Sequence, residues 1–378
     1  MPRSEWGLIT LGEVNSPSDA PVRIRPEISA VPAYRQGQAP AEGGFKLSSN
    51  ENPFPTLPGI LDRIAEAREV NRYGKAALLP LRTRLAEAHG VDIDEVHVGS
   101  GSVALLYQLI HAVAGPGEEY LSAWPSFEAY PLLGLASGAR HVGVPGTVDG
   151  RHDLTAMAAA ITERTRAVLL CTPNNPTGPA LGRAETIEFL EQIPNDVLVI
   201  LDEAYAEFVR DDDAVRGADL LTRFPQVVSL RTFSKAAGLA DLRIGYAIGN
   251  ATILNAARVI ATPLSVSAAA EAGAVAALDL SGELDERIDT LVERRVALRA
   301  GLLSQGYRVP DAQGNFVWLP VGEAAAELGA RCLDAGILIR PFPGLGVRIS
   351  VGEPESIPAV LAVTAAFAAD RPDLMEGR

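Results

Sequence analysis

Asn175, Asp202, Tyr205, Lys235 and Arg243 are five polar side chains that fall in three short segments, TPNNPTG at 172–178, LDEAY at 201–205 and TFSKAAGLADLRIGY at 232–246. Lys235 supplies an amine that forms an imine (a Schiff base) once it has lost its proton. Asp202, Tyr205 and Asn175 supply a carboxylate, a phenol and an amide, the groups that address the polar edge of a flat heteroaromatic ring. Arg243 supplies a guanidinium fork for phosphate oxygens, and the hydroxyls of Thr232 and Ser234 are further donors beside it.

Pyridoxal phosphate carries all of these handles, but a site for it needs a scaffold that brings the segments together. Each segment lies at or just after an apolar run that reads as a buried strand, and an open α/β sheet binds its ligand at the carboxyl ends of its strands. From residue 95 onward such runs alternate with helical patterns. Strands are expected at 95–98, 119–123, 141–144, 167–171, 198–202, 227–231 and 244–248, with helices at 59–68, 78–89, 103–114, 127–135 and 183–192. The alternation predicts an α/β chain with a mainly parallel seven-stranded sheet covered by helices. A helical pattern over 268–303 then leads to a smaller α/β unit, with strands at 315–319, 337–340 and 347–351, a helix near 324–335 and a final helix.

This placement sharpens several residues. Lys235 directly follows the strand-like VVSLRTFS, and a charged ligand with Arg243 nearby depresses an amine's pKa. Asp202 follows VLVIL, which favours burial over a solvated helix start. The stretch Gly99-Ser100-Gly101-Ser102 follows a strand and opens a helix, where backbone N–H groups attract phosphate. Ala104 stands where a dinucleotide-binding fingerprint needs its third glycine, which disfavours a nicotinamide site.

The three segments resemble those of fold-type-I pyridoxal-phosphate aminotransferases, and within them the histidinol-phosphate aminotransferase branch. LSSNENPF at 47–54, RYG at 72–74, NFVWLP at 315–320 and VRISVG at 347–352 add to the match. GSGSVALLYQL at 99–109 and AWPSFEAYP at 123–131 are most similar to the aromatic amino acid aminotransferases of that branch. The resemblance runs from about residue 25 to about residue 360. It implies the aminotransferase fold type I, with pyridoxal 5'-phosphate bound to Lys235 as a Schiff base. Asp202 faces the ring nitrogen, Asn175 and Tyr205 the ring's 3-oxygen, and Phe127 the ring face. Ser102, Val103, Thr232, Ser234 and Arg243 hold the phosphate. Arg348 pairs with the substrate α-carboxylate, Arg340 lies near the substrate tail, and Asn52 and Tyr34 are on the substrate side. Tyr73 reaches the phosphate in a partner subunit, so the expected assembly is a homodimer with shared active sites. The expected division is an arm at 1–24, a segment at 25–50 packed on the small domain, a large cofactor domain at 51–268 and a small domain at 269–378.

The expected reaction is transamination between an aromatic L-amino acid and a 2-oxo acid such as 2-oxoglutarate. Val103 and Ala104 replace acidic residues common in the family, and Val103, Trp124 and Phe127 suggest an apolar slot for the substrate tail. Histidinol-phosphate aminotransferase is the alternative, followed by a specialised secondary-metabolism aminotransferase or a decarboxylase on the same scaffold. Gly74, Ala237 and Asp241 depart from the family pattern. Asp241 sets a carboxylate near the phosphate arginine in sequence.

The net charge of −14, spread without long like-charge runs, argues against nucleic acid and anionic membranes as partners. Cys171 and Cys332 fit neither a disulfide framework nor a metal pattern, and the five histidines lack ligand spacing. No apolar stretch is long enough to span a membrane, and the start of the chain lacks a basic segment followed by an apolar core. The expectation is no metal, no membrane, and a cytoplasmic enzyme.

Overall fold

The computed structural model describes residues 22–31, 40, 42–69, 71–74 and 78–374. Tyr34 and most of the expected arm at 1–24 lie outside them. The chain begins with a short helix α1 (Pro26–Ser29) and a two-residue strand β1 (Phe45–Lys46), followed by helices α2 (Pro58–Glu66) and α3 (Leu79–His89). Seven strands then form one sheet: β2 (Val96–Gly99), β3 (Glu119–Trp124), β4 (Arg140–Pro145), β5 (Thr165–Cys171), β6 (Leu198–Asp202), β7 (Val227–Thr232) and β8 (Gly245–Gly249). Their spatial order is β2-β8-β7-β6-β5-β3-β4. The pairs among β3 to β7 are parallel, and β8 runs antiparallel to both of its neighbours.

The central strands read as unbroken apolar runs because both faces of the sheet are covered. Alternate residues serve the two sides. Leu169, Ile200 and Leu230 pack with Leu105, Leu106 and Leu109 of helix α4 (Ser102–Val113). Val168, Leu170, Val199 and Leu201 pack on the opposite side with Phe189 and Leu190 of helix α6 (Arg183–Gln192). Between these helices the structure adds α5 (Leu154–Ala159), and after β8 it adds α7 (Ala251–Ile260). The alternation assigns a helix without bounds to the gap that α5 fills, whereas α7 is not anticipated; each has a cap. Asp153 accepts from the Ala156 amide at 2.9 Å and Asn250 from the Thr252 amide at 2.9 Å.

Two expected helices differ. The stretch 127–135 forms only a short 3-10 turn at Tyr130–Leu132. Pro131 occurs there, and the backbone at Gly134 is pressed so close to Tyr120 and Ala139 that a Cβ would lie 2.3 Å from the Ala139 carbonyl oxygen. The long pattern over 268–303 is two helices, α8 (Ala268–Asp279) and α9 (Ser281–Ser304), because Leu280 leaves helical geometry at φ −103°, ψ 27°. Ser281 and Gly282, weak helix formers, follow the break.

Beyond α9 lie β9 (Phe316–Leu319), α10 (Ala325–Asp334), β10 (Ile337–Leu338), β11 (Arg340–Phe342), β12 (Gly346–Ser350) and α11 (Ser356–Asp370). β11, β12 and β9 form an antiparallel three-stranded sheet in that order. β1 pairs in parallel with β10, and Leu47 enters the core formed by Leu302, Val317, Leu328, Ile349 and Phe367. The buried Arg295 of α9 donates to the carbonyls of Phe208 at 2.9 Å and Gly314 at 3.0 Å, linking the helix to loops on the site side of both sheets.

Gly346 begins β12 where a Cβ would lie 2.3 Å from the Leu319 carbonyl oxygen and 2.6 Å from the Trp318 ring. Gly346→Ala is expected to lower unfolding stability by about 1–3 kcal/mol through overpacking, seen as a reduced urea midpoint at unchanged slope.

Candidate functional site

The three chemistry-bearing segments leave the sheet side by side. In the register Cys171, Asp202 and Leu230 are neighbours across β5, β6 and β7, so the residues that follow them share one sheet edge. Asp202 is the last residue of β6 and is buried. Its Oδ2 accepts from the Tyr130 hydroxyl at 2.9 Å, and its Oδ1 from the Ala204 amide at 3.3 Å. Burial raises its pKa to about 6, and those two hydrogen bonds oppose the rise. Among the described residues, no Lys, Arg or His forms an ion pair with this carboxyl.

Lys235 lies in the loop after β7, half-buried. Its Nζ donates to the Ser49 carbonyl at 3.0 Å and lies 5.9 Å from the centre of the Tyr205 ring. Burial first, then the positive charge of Arg348 and less strongly that of Arg243, lower its pKa to about 7, with Glu51 acting the other way. An amine in that state is a competent nucleophile near neutrality.

Tyr205 is buried edge-on against Phe316 at 5.0 Å and its hydroxyl accepts from the Asn50 amide at 3.0 Å. Asn175 accepts through Oδ1 from Arg348 Nη1 at 2.6 Å. Arg348 Nη2 donates to the Ser48 carbonyl at 2.5 Å, so two neutral oxygens from different parts of the chain orient this buried guanidinium. Arg340 is the direct cross-strand neighbour of Arg348, and it donates through Nη2 to Glu128 Oε1 at 2.6 Å.

A second cluster forms where β2 meets α4. Gly101, at φ 83°, caps α4, whose first turn carries Ser102 and the half-buried Val103. Arg243, itself at φ 52°, donates through Nη1 to Ser234 Oγ at 3.4 Å and to the Ala240 carbonyl at 2.7 Å. Thr232 Oγ1 accepts from the Ser234 amide at 3.1 Å. Asp241 is exposed, and the hydrogen bonds recorded for Arg243 go to Ser234 and Ala240 instead.

These groups fit pyridoxal phosphate on the structure's own terms. A Cβ on Gly101 would lie 2.6 Å from Arg243 Nη2, and one on Gly245 would lie 2.8 Å from the Ser102 amide nitrogen, so two glycines keep this concavity clear. A helix N-terminus, two hydroxyls and a guanidinium around it are a phosphate donor set. Asp202 is suited to a protonated ring nitrogen, and Lys235 to a carbonyl carbon.

The other sequence expectations are placed less simply. Phe127 packs edge-on against Tyr130 at 5.6 Å and is half-buried. Asn52 donates to the carbonyl of Ala236, next to Lys235, at 3.0 Å and accepts from the Phe54 amide at 3.0 Å. Tyr73 is 80% exposed. Sequence reasoning missed Asn50, Tyr130 and Glu128. Asn50 was legible in part, since it sits inside LSSNENPF; it adopts φ 51°, a conformation asparagine tolerates better than most residues. Nothing in the sequence announced Tyr130 or Glu128 as partners. Cys171 and Cys332 are buried and free, and burial raises both thiols to about 12. Among the described residues no cluster of His, Cys, Asp and Glu could hold a metal, and no helix is long and apolar enough to cross a membrane.

Comparison with known proteins agrees with this geometry. The family described as Aminotransferase class I and II matches residues 42–363. A protein of Streptomyces avermitilis named aromatic amino acid aminotransferase is 46% identical over 354 residues, spanning 93% of this chain and 99% of that protein. One of Rhodococcus opacus with the same name is 47% identical over 341 residues, 90% of this chain and 94% of that protein. Among solved structures, histidinol-phosphate aminotransferase from Sinorhizobium meliloti in complex with pyridoxal-5'-phosphate superposes with a TM-score of 0.81 at 26% identity, covering 95% of this chain and 99% of that one.

Two outcomes follow from the geometry. Gly101→Ala combines a left-handed backbone with displacement of the Arg243 guanidinium, and is expected to raise the pyridoxal phosphate concentration for half-saturation by about tenfold or more, read by fluorescence titration of apoprotein. Asp202 binds its proton more tightly folded than unfolded, so its ionisation costs stability as pH rises from 3.8 to about 6. In apoprotein, Asp202→Asn is expected to gain stability relative to the parent across that window, by up to about 3 kcal/mol at 1.36 kcal/mol per pKa unit, measured by urea unfolding at several pH values.

Proposed function

Because this chain belongs to the class I and II aminotransferase family, we propose that it moves the amino group of an aromatic L-amino acid to a 2-oxo acid such as 2-oxoglutarate, with Lys235 as the residue that carries the cofactor. The observation that carries this reading is the half-buried Lys235 amine, brought to about 7 by burial and by the charges of Arg348 and Arg243, at the sheet edge where the buried Asp202 ends β6.

When bound, pyridoxal 5'-phosphate supplies an aldehyde carbon that links to amines and a pyridine ring that draws electrons from the substrate's α-carbon. The Asp202 carboxylate, held in place by Tyr130, would accept a hydrogen bond from the protonated ring nitrogen. Asn175 and Tyr205 would address the ring's 3-oxygen. Ser102, Thr232, Ser234 and Arg243 would hold the phosphate, and Phe127 would lie at the ring face. Arg348, oriented by Asn175 and Ser48, receives the substrate α-carboxylate in a fixed fork. With the cofactor bound, Lys235 Nζ would be the base that takes the proton from the substrate's α-carbon. Its lowered pKa makes it able both to accept and to return that proton near neutral pH.

Support for an aromatic substrate comes from the relatives that bear that name and from the aromatic side chains Trp124 and Phe127 on the site side of β3. Arg340, next to Arg348, favours histidinol phosphate as a second reading, because a guanidinium there would grip a phosphate tail. Its ion pair with Glu128 counts against that reading. We further propose a homodimer in which the exposed Tyr73 reaches the partner's cofactor phosphate. The domain division we propose is 51–268 and 269–378, with 25–50 joined to the second through β1 and Leu47.

Borohydride reduction of the loaded enzyme is expected to leave the parent protein heavier by one cofactor and Lys235→Ala unchanged, by intact mass. The parent enzyme is expected to convert phenylalanine, tyrosine and tryptophan with 2-oxoglutarate well ahead of histidinol phosphate. Equal sluggishness toward all four would overturn the aromatic assignment.

A further inference from the structure

Asn50 is fully buried at φ 51°, a left-handed conformation that asparagine and aspartate tolerate. Its backbone N–H donates to Ser350 Oγ at 2.8 Å, and Ser350 Oγ donates back to Asn50 Oδ1 at 2.8 Å. Its carbonyl accepts from Asn315 Nδ2 at 3.2 Å. Its own Nδ2 donates to the Tyr205 hydroxyl at 3.0 Å.

The two ends of an amide are alike in shape, and here the Ser350 hydroxyl tells them apart. That hydroxyl accepts from the Asn50 backbone, and among the described residues its proton has no recorded acceptor other than Asn50 Oδ1. Turning the amide over would leave this buried proton unpaired, which is costly. Oδ1 is therefore held toward Ser350, at the end of β12, and Nδ2 toward Tyr205.

The Tyr205 oxygen thus has its accepting side taken. Burial raises its pKa above the ordinary phenol range, so the hydroxyl keeps its proton. Among the described residues no acceptor is recorded for that proton. The ring is fixed edge-on against Phe316 at 5.0 Å, and Lys235 Nζ lies 5.9 Å from its centre. A ligand held at that amine meets a phenol whose proton is uncommitted.

We propose that Asn50 is a positioning residue: held by Ser350, it takes the accepting side of Tyr205 and so commits the phenol to donate to an anionic oxygen of the cofactor at Lys235. The inference rests on the proposed place of pyridoxal phosphate at that lysine. A donor to the ring's 3-oxygen holds negative charge there, which favours the form of the Lys235–cofactor linkage that has lost its proton. An acceptor at position 50 would draw the phenol's proton away from the cofactor.

The test is a pH titration of the holoenzyme's colour, which follows the proton on the Lys235–cofactor linkage. Asn50→Asp keeps the shape, the tolerance of a left-handed backbone and the oxygen that receives Ser350, but its other oxygen accepts from Tyr205. It is expected to bind the linkage proton about tenfold tighter or more. Its added charge tightens that proton too, and the Tyr205→Phe background separates the two effects. There the effect of Asn50→Asp is expected to be smaller by about threefold or more. Ser350→Ala adds no charge and frees the amide to turn over. It is expected to tighten the proton by about twofold or more in the Tyr205 background only, and it carries the test if Asn50→Asp fails to take up cofactor. No tightening in either variant, or equal effects in both backgrounds, overturns the inference while a coloured parent leaves the cofactor's place at Lys235 standing. A parent that forms no coloured linkage, or a colour that survives Lys235→Ala, sinks both.

Discussion

A half-buried amine held beside two guanidiniums is the constraint around which this site is built. Lys235 loses the hydration that would keep it protonated, and Arg348 and Arg243 add like charge. Such an arrangement raises the free energy of the charged form and is retained only where the surrounding fold leaves no alternative position. Here the amine's recorded hydrogen bond is to the Ser49 carbonyl, a neutral acceptor. The carboxyl nearest in function, Asp202, is engaged instead by Tyr130. Keeping the lysine and the aspartate apart prevents a simple ion pair that would leave the amine protonated.

The segment from Ser48 to Asn52 enforces that separation. Ser48 and Ser49 offer carbonyls to Arg348 and Lys235, and Asn50 binds Tyr205 through its amide and Ser350 through both its backbone N–H and its Oδ1. Asn315 donates to the Asn50 carbonyl, and Asn52 ties the same segment to the Lys235 loop through Ala236. Polar groups of this buried strap are thus matched to site side chains on the seven-stranded sheet side and the three-stranded sheet side at once. β1 anchors its start by pairing with β10. The strap couples the two sheets, so the relative position of Lys235 and Arg348 depends on backbone hydrogen bonds near residue 50 as much as on the loops that carry them.

Two arginines of the small sheet meet different groups of the large one. Arg348 and Arg340 are chemically alike and are neighbours in one sheet, yet one is oriented by neutral oxygens and the other is held by a carboxylate. The difference arises from what the large sheet places opposite each: Asn175 after β5 for the first, Glu128 after β3 for the second.

The sequence alone determined the sheet, because strands buried on both faces must be apolar throughout, and that composition is visible in runs such as VLVIL before Asp202. It also determined which segments end at one sheet edge, since parallel strands joined by helices put all their carboxyl ends on the same side. Periodicity could not distinguish a continuous helix over 268–303 from two helices broken at Leu280, nor show that Pro131 and the tight packing at Gly134 reduce 127–135 to a turn. Partners were the larger gap. Tyr130 reaches Asp202 across 72 positions, Asn175 reaches Arg348 across 173, and Glu128 reaches Arg340 across 212. No local propensity encodes such pairs. Which charges are paired and which amine loses its proton most readily are settled by burial and distance, and those exist only once the chain has closed on itself.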